Sequence, residues 1–274
     1  MAYTLLSVKK TSMKTIIFAI GISLTLILVS SSTPSNFPSI NNTAFAPGEY
    51  LKYRVSYGTM DAGEVIMMVK STTVKGGGRE LIHVEGTGKT LGGFNSFYKV
   101  VDKYESYLDK KSLIPWYFYR RVNEGGYKIN QDYTFFQDRN TVSNGKKSFI
   151  VPAGIQDMIS SFYYARTMNF TNMKAGKVFQ FKCFMDDEIW PLKIKYVGDE
   201  IIKIKSGKYK CHKFVPVVQT GRVFKSEKDL NFWITADANK IPILVKAKIP
   251  VGYVKLHLTD YKGLKNDFTS KQPK

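Results

Sequence analysis

The segment VPAGIQDMISSFYYARTMNF, residues 151–170, concentrates side chains that could do chemistry. Within about three helical turns it carries a carboxylate, two hydroxyls, two phenols and a guanidinium: Asp157, Ser160, Ser161, Tyr163, Tyr164 and Arg166. Farther along the chain, Arg222 and Asp237 are charged residues beside a glycine or a turn. Together with Asp157 they are the best hydrolytic set that the sequence offers. Such a set works only if at least two members converge within hydrogen-bonding distance at an open cleft.

The same segment also has a structural explanation. An apolar stripe at helical spacing predicts an amphipathic helix, formed by Ile155, Met158, Ile159, Phe162 and Ala165. Tyr163 and Tyr164 lie outside this stripe, which indicates a helix covered on more than one side. Asp157 falls in the first turn, where a carboxylate accepts free backbone N–H groups and favours the positive end of the helix dipole. We therefore interpret Asp157 as a structural cap and assign no catalytic residue.

Other motifs for chemistry are weak. His83, His212 and His257 each fall inside an alternating strand pattern, without a second ligand at metal-binding spacing. The run Asp186-Asp187-Glu188 indicates a solvated turn, since calcium would need a looped set of oxygen ligands. No nucleophile elbow, phosphate-binding loop or zinc-protease motif is present. We expect neither a metal nor a cofactor.

Aromatic residues offer a non-catalytic alternative. The chain has 17 Tyr, 18 Phe and 3 Trp. In a β-barrel these could line a cavity for a hydrophobic or anionic envelope ligand, a lipid or a glycan. The candidate ligand-binding residues are Tyr53, Trp116, Tyr163, Tyr164, Arg222 and Trp233. The alternative is a solid aromatic core, because barrels of modest size are often filled by side chains.

The N-terminus predicts export. Lys9, Lys10 and Lys14 precede the apolar run Ile16–Val29, and small polar residues follow up to residue 35. This is the pattern of a secretory signal peptide with its cleavage region, residues 1–35. No cysteine precedes Cys183, so no lipid can be attached near the cleavage point. We expect a periplasmic or envelope-associated protein that is not a lipoprotein.

The charge of the chain agrees with an exported protein. The net charge of +19 becomes +16 when residues 1–35, with three Lys and no acid, are removed. Export argues against nucleic acid as a partner, and the lysines are scattered along strands. They indicate a solvated surface; the alternative is attraction to anionic headgroups or acidic glycans, which would be a peripheral membrane contact.

Cys183 and Cys211 both fall in predicted strands. An oxidising compartment permits a disulfide between them. Two buried free thiols are the alternative, since Cys is also a small core residue. The sequence leaves both open, and it gives no oligomeric state.

From Tyr50 onward the chain alternates apolar and polar residues in short segments, as in EYLKYRVSY and YKINQDYTFF. Tight turns such as Gly76-Gly77-Gly78, Asn144-Gly145 and Gly198-Asp199 separate the segments. This predicts an all-β fold: one large antiparallel meander of roughly a dozen strands, curled into a barrel-like sheet, with one short α-helix packed on it or plugging it. A single domain should span residues 36–268, followed by a disordered tail at 269–274.

Several motifs resemble the DUF3108 family of exported bacterial proteins. The longest is F-x-P-G-E-x-L-x-Y-x-V-x-Y-G at residues 45–58. Others are Val101–Ser106, Glu124–Tyr127, Gln156–Met158, Ser161–Tyr164, Gly207–Cys211, Gly221–Phe224, Asn231–Trp233 and Asn239–Pro242. The resemblance covers about residues 45–264. It implies a periplasmic or surface β protein of Gram-negative bacteria, similar in fold to an envelope lipoprotein linked to surface polysaccharide export, with no established activity. The signal peptide resembles those of Bacteroidota, whereas the missing lipid-attachment cysteine departs from the lipoprotein pattern.

Three hypotheses for function follow. The first is a non-enzymatic binding or accessory factor in envelope biogenesis, acting on lipid or surface polysaccharide. The second is a hydrolase of envelope polymers built on Asp157, Arg222 and Asp237. The third is a purely structural interaction module that docks through an exposed sheet edge or a basic face.

Overall fold

The computed structural model describes residues 37–217, 229–248 and 252–273. The proposed signal peptide and the candidate residue Arg222 lie outside these ranges. In the part of the chain that is described, no helix is long and apolar enough to cross a membrane.

The described residues form fourteen strands and two short helices. The strands are β1 Tyr50–Tyr57, β2 Met60–Gly76, β3 Arg79–Thr90, β4 Val101–Asp109, β5 Pro115–Glu124, β6 Tyr127–Phe136, β7 Thr141–Ser143, β8 Ser148–Ile150, β9 Val178–Met185, β10 Glu188–Ile204, β11 Gly207–Pro216, β12 Leu230–Thr235, β13 Pro242–Lys248 and β14 Tyr253–Lys262. The helices are α1 Phe94–Phe97, a single turn, and α2 Met158–Ala165. The predicted all-β class with one helix of more than a turn is confirmed.

All fourteen strands belong to one antiparallel sheet. Its order is β8-β7-β6-β5-β4-β3-β2-β1-β14-β13-β12-β11-β10-β9. Each strand therefore pairs with its neighbours in sequence, except that β8 does not pair with β9 and that β1 pairs with β14 as well as with β2. The first and last strands thus lie side by side in the middle of the sheet, and the two edges, β8 and β9, come from the middle of the chain.

The sheet is curled but not closed, and the connection between its edges carries α2. Just before the helix, Gln156 pairs in parallel with β9: its N–H donates to the Lys182 carbonyl at 3.0 Å, and its carbonyl accepts from Phe184 N–H at 2.8 Å. On the β8 side, the rings of Phe149 and Phe184 lie 5.2 Å apart. The helix and its lead-in therefore pack where the two edges of the sheet approach each other.

Apolar side chains fill the concave side of the curl in two large clusters. The first joins α2, through Ile159 and Tyr163, to β2–β9 and the segment before β1. The second joins β1 to β11–β14 and includes Tyr53, Cys211 and Trp233. The alternation of the strands explains both, since every second residue points to the same face of a sheet.

Two predicted features differ in the structure. Gly198-Asp199 is not a turn: β10 runs through it, and the register shifts between Tyr196 and Gly198 as in a β-bulge. The predicted disordered tail is ordered in the described residues 269–273, because the Ser270 carbonyl accepts from Lys210 N–H and Gln272 N–H donates to the Lys208 carbonyl, both at 2.8 Å. The tail thus adds backbone hydrogen bonds beside β11, which its polar composition did not reveal.

Candidate functional site

Asp157 is the N-cap of α2 and is completely buried. Its Oδ1 accepts from Ser160 N–H at 2.7 Å, and Ser160 Oγ accepts from Asp157 N–H at 2.7 Å, which completes a capping box. The other carboxylate oxygen accepts a short hydrogen bond from Ser106 Oγ on β4. Burial raises the pKa of Asp157 to about 6, although the hydrogen bonds from Ser106 and Ser160 oppose the shift. All the described contacts of this carboxylate are structural.

Asp237 lies in the turn between β12 and β13 and has different partners. Its carboxylate accepts from Thr235 Oγ1 at 2.8 Å and from backbone N–H groups of Asn239, Lys240 and Ser270. It shares none of these partners with Asp157. Among the described residues, the predicted hydrolytic set is therefore not assembled, and Arg222 lies outside them.

The aromatic ligand candidates are mostly core residues. Tyr53, Trp116, Tyr163 and Trp233 are each at most 7 % exposed. The Trp116 ring covers the Gly76-Gly77 turn so closely that a Cβ on either glycine would meet it. Trp233 donates from Nε1 to Glu200 at 2.7 Å. Tyr164 is partly exposed and packs on Phe181 at 6.3 Å between ring centroids. Four of these five rings are therefore packed in the described interior.

Two concavities lie on the surface, not inside the curl. One, of about 400 Å³, is formed by the loop after α2, residues 169–177, and Phe179. The other, of about 280 Å³, lies around the ion pair of Arg79 with Asp109. Both are open to solvent, and neither is lined by one of the five predicted ligand-binding residues that the structure describes.

A buried ion pair, which the sequence reading did not single out, connects three parts of the chain. Arg166, just after α2, donates to both carboxylate oxygens of Glu49 at 2.6 and 2.7 Å and to the Asn239 carbonyl at 2.9 Å. Arg166 is 2 % exposed and Glu49 1 %. The hydroxyls of Tyr53 and Tyr163 are buried here without a hydrogen bond that meets normal geometry. Burial raises the pKa of both phenols, and the Glu49 carboxylate adds to that effect.

Sequence signals for this pair were present but ambiguous. Glu49 belongs to the P-G-E motif before β1, and Arg166 ends the helical segment. A charged residue in either position is usually solvated, so only the tertiary structure shows that both are buried.

The two cysteines are buried free thiols. The two cysteines flank β10, which lies between β9 and β11. Cys183 on β9 is opposite Trp190, and Cys211 on β11 is opposite Glu200. Ten residues of strand separate these two partners, about 30 Å at 3.3 Å per residue. The distance excludes the disulfide alternative, since bonded cysteines need Cα atoms within about 7 Å. Burial raises the pKa of each thiol to about 12.

One group of side chains has the composition of a metal site. Ligand atoms of His83, Glu85 and Glu105 lie within 4.8 Å of one another on β3 and β4. Both carboxylates are already engaged, because Lys70 contacts Glu85 at 2.8 Å and Lys103 contacts both glutamates at 3.0–3.1 Å. A cation would have to displace two ammonium groups. Burial lowers the pKa of His83, which stacks on Tyr107. The cluster is best described as a cross-strand ion-pair network.

A second histidine has an acidic partner. His212 Nδ1 lies 2.6 Å from Asp199, whose carboxylate also accepts from Tyr196 OH at 2.7 Å. An aspartate that orients a histidine is part of a hydrolytic triad. The rings of Phe170 and Tyr196 pack on this histidine, each at 5.9 Å. In the described chain His212 contacts no serine or cysteine that could serve as the nucleophile.

Comparisons with known proteins support the fold. A family model described as "Protein of unknown function (DUF3108)" matches residues 52–259. No curated protein matches the chain. Among solved structures, a β-barrel-like protein of the domain of unknown function DUF1849 from Brucella abortus has a TM-score of 0.54 at 7 % identity, covering 81 % of this chain and 99 % of its own. That similarity extends over the whole of the Brucella protein and concerns the fold alone.

Two other solved structures are less similar. A candidate lipoprotein from Parabacteroides distasonis has a TM-score of 0.33 at 10 % identity, covering 82 % of this chain and 99 % of its own. A candidate exported protein with a YmcC-like fold from Bacteroides fragilis has a TM-score of 0.29 at 9 % identity, covering 82 % and 98 %. Neither superposition is close enough to bear on the role of this chain.

Proposed function

Because the chain belongs to the DUF3108 family, a family of unknown function, we propose a role from its own structure: an exported envelope protein that binds a partner at its surface and catalyses no reaction. In this role it serves as an accessory factor in envelope biogenesis. The observation that carries the proposal is the filled interior, where Tyr53, Trp116, Tyr163 and Trp233 are buried against other side chains. A filled interior favours recognition at the outside of the sheet.

The signal-peptide pattern of residues 1–35 supports the location. Absence of a cysteine in that region favours a protein without a lipid anchor. Export also fits the buried thiols, which an oxidising compartment would leave unpaired at their separation.

Docking through a sheet edge is less favoured than docking elsewhere on the surface. The edge strand β8 has three residues, too short to offer a long row of free backbone groups. The other edge, β9, is already paired with Gln156 at Lys182 and Phe184. The interaction surface should therefore lie on the strand ends or on the outer face.

The proposed location can be tested in the organism that encodes the chain. A C-terminally tagged protein should be released with the periplasmic or envelope fraction. Leu26→Arg places a charge in the apolar run and should leave the protein in the cytoplasm, whereas the control Ser23→Ala should be exported like the wild type. Wild-type protein that stays in the cytoplasm would refute the location.

The absence of an internal ligand can be tested by native mass spectrometry. Protein purified from its own periplasm should have the mass of the processed polypeptide alone. A lipid or glycan retained at one molecule per chain, and lost on denaturation alone, would count against the filled interior on which the proposal rests.

A further inference from the structure

One end of the sheet exposes a group of apolar side chains. Its members are Met60, Phe97, Tyr98, Val101, Tyr127 and Tyr253, which are 41–91 % exposed. We call this group the aromatic rim. Four of the six are aromatic, and Phe97 is the most exposed, at 91 %.

Strand pairing places the rim at a single end of the sheet. Tyr57 at the end of β1 pairs with Met60 on one side and with Val254 on the other. At the same end, Lys89 near the end of β3 pairs with Val101, and Glu124 at the end of β5 pairs with Tyr127. In an antiparallel meander, alternate connections lie at the same end. The rim residues therefore project from neighbouring connections.

Direct contacts join these connections into one surface. The Tyr98 ring lies against Gly125, whose N–H donates to the Lys99 carbonyl at 2.8 Å. The rings of Phe94 and Tyr57 are 6.5 Å apart. Gly58 N–H donates to the Tyr253 carbonyl at 3.3 Å. The rim thus extends from the β5–β6 turn across α1 to the start of β14.

The C-terminal segment covers part of the opposite end of the sheet. There, Phe268 packs on Tyr209 and Tyr261 with ring centroids 5.3 and 4.7 Å apart. Asn239 is fully buried and donates to the carbonyls of Asn266 and Asp267. The turns around β11 to β14 are therefore covered at that end, where the exposed apolar residues Val74 and Ile150 lie apart, near the ends of β2 and β8.

Basic residues surround the rim. Lys99, Lys128 and Lys248 are exposed on the same connections or next to them. Nearby acids have cationic neighbours of their own. Asp61 is 3.5 Å from Arg54, and Glu124, which lies beside Asp102, also interacts with Arg120. Lys99, Lys128 and Lys248 therefore leave the surface around the rim with an excess of positive charge.

We propose that the aromatic rim docks the protein onto an anionic lipid bilayer. Exposed Tyr and Phe beside Lys are the residue types that occupy the bilayer interface, where rings enter the headgroup layer and ammonium groups meet lipid phosphates. Charge complementarity favours an anionic partner. A lipid surface is favoured over an acidic peptide, because the exposed apolar residues project from several separate connections. The proposal rests on the envelope location proposed above, although binding to vesicles is measured independently of export.

Vesicle sedimentation tests the proposal. The purified protein should sediment with phosphatidylethanolamine vesicles that contain one-quarter phosphatidylglycerol, and much less with phosphatidylcholine vesicles. High salt should weaken the binding, because screening acts on the lysine contribution.

Matched variants distinguish binding through the aromatic rim from nonspecific hydrophobic adsorption. Phe97→Ser with Tyr127→Ser should weaken binding by roughly tenfold or more, since two large apolar groups no longer enter the interface. The control, Ile150→Ser with Ile201→Ser, changes apolar residues that are 87 % and 65 % exposed outside the rim and should bind like the wild type. Circular dichroism would establish that each variant is folded.

A charge-reversal pair completes the test. Lys99→Glu with Lys128→Glu should reduce binding several-fold. Lys203→Glu with Lys205→Glu changes the net charge equally on β10 and the turn after it, and should have a much smaller effect. Equal losses of vesicle binding in the two double variants would overturn the proposal, because binding would then depend on net charge alone. Absence of any vesicle binding, or rim-dependent cross-linking to one envelope protein in its place, would also overturn it.

Discussion

At the residue scale, the Asp157 carboxylate satisfies two groups that would otherwise be buried without partners. These are Ser160 N–H at the start of α2 and Ser106 Oγ on β4. The side chain thus fixes the helix to the wall of the sheet as well as capping it. The role of this carboxylate is therefore to hold α2 in place, although an aspartate in this segment first suggested catalysis.

Replacing Asp157 by Ala should lower the free energy of unfolding by about 2 kcal/mol, since the cap is lost and Ser106 Oγ loses its buried acceptor. Asp157→Asn keeps an acceptor oxygen for Ser160 N–H and should cost less. Urea unfolding followed by circular dichroism measures both. An Ala variant as stable as the wild type would contradict the capping role.

The raised pKa of Asp157 predicts a pH dependence of stability. The carboxyl has a pKa of about 6 in the folded state and about 4 when unfolded. The folded state therefore holds the proton more tightly, so this contribution is complete below pH 4 and is lost as the pH rises to 6. Its size is on the order of 3 kcal/mol. Wild-type stability relative to Asp157→Asn should fall over that range; a constant difference would show that Asp157 does not titrate there.

The Arg166–Glu49 pair should be the most sensitive charge interaction among the described residues. Arg166→Met leaves Glu49 buried without its cation and should cost about 3–5 kcal/mol. The control Arg121→Met breaks an exposed pair with Asp132 and should cost about 1 kcal/mol or less. Replacing both Arg166 and Glu49 by apolar residues should recover part of the loss; no recovery would mean that the pair acts mainly through Asn239.

At the element scale, the close approach of the two terminal segments depends on Gly263, which directly follows β14. It has φ +61°, and a Cβ there would lie 2.1 Å from the Gly48 carbonyl oxygen. Gly263→Ala should therefore cost about 3–5 kcal/mol, from a left-handed backbone and a clash with main chain. Gly58→Ala is the matched control, because it has φ +59° and no atom within 4 Å of the added Cβ. Thermal unfolding measures both variants. Equal losses of stability would show that the backbone moves and relieves the clash at Gly263.

Element boundaries were predictable where alternation and turns agree. The pattern YKINQDYTFF gives β6 with its bounds, Tyr127–Phe136. The Gly198-Asp199 pair misled, because a glycine that allows a bulge inside β10 has the same composition as a turn. The buried face of α2 also differs from the apolar stripe: Ser160, Ser161 and Tyr163 are buried with Ile159. Packing on two sides of a short helix overrides its own periodicity.

At the scale of the whole molecule, local patterns predicted a curled antiparallel sheet but not which strands are its edges. The pairing of β1 with β14 joins residues about 200 positions apart, and nothing in either strand's alternation specifies that partner. The burial of the aromatic candidates is a consequence of this pairing, since it brings Leu51, Tyr53 and Leu258 into one cluster with Trp233. Whether the curled sheet is hollow or filled therefore depends on long-range contacts, and no single segment of the sequence specifies them.

The two thiols give a test of the whole fold. Cys183 and Cys211 lie on β9 and β11 of the same sheet, are at most 2 % exposed, and have a pKa raised to about 12 by burial. Ellman's reagent should therefore find no reactive thiol in the native protein and two in denaturant, since the thiolate is the reactive form. Because one sheet contains both strands, the two thiols should become reactive in the same transition that abolishes the far-ultraviolet circular dichroism. A thiol that reacts before that transition would show that the β9 edge opens separately, and failure to find two in denaturant would mean that the cysteines are bonded after all.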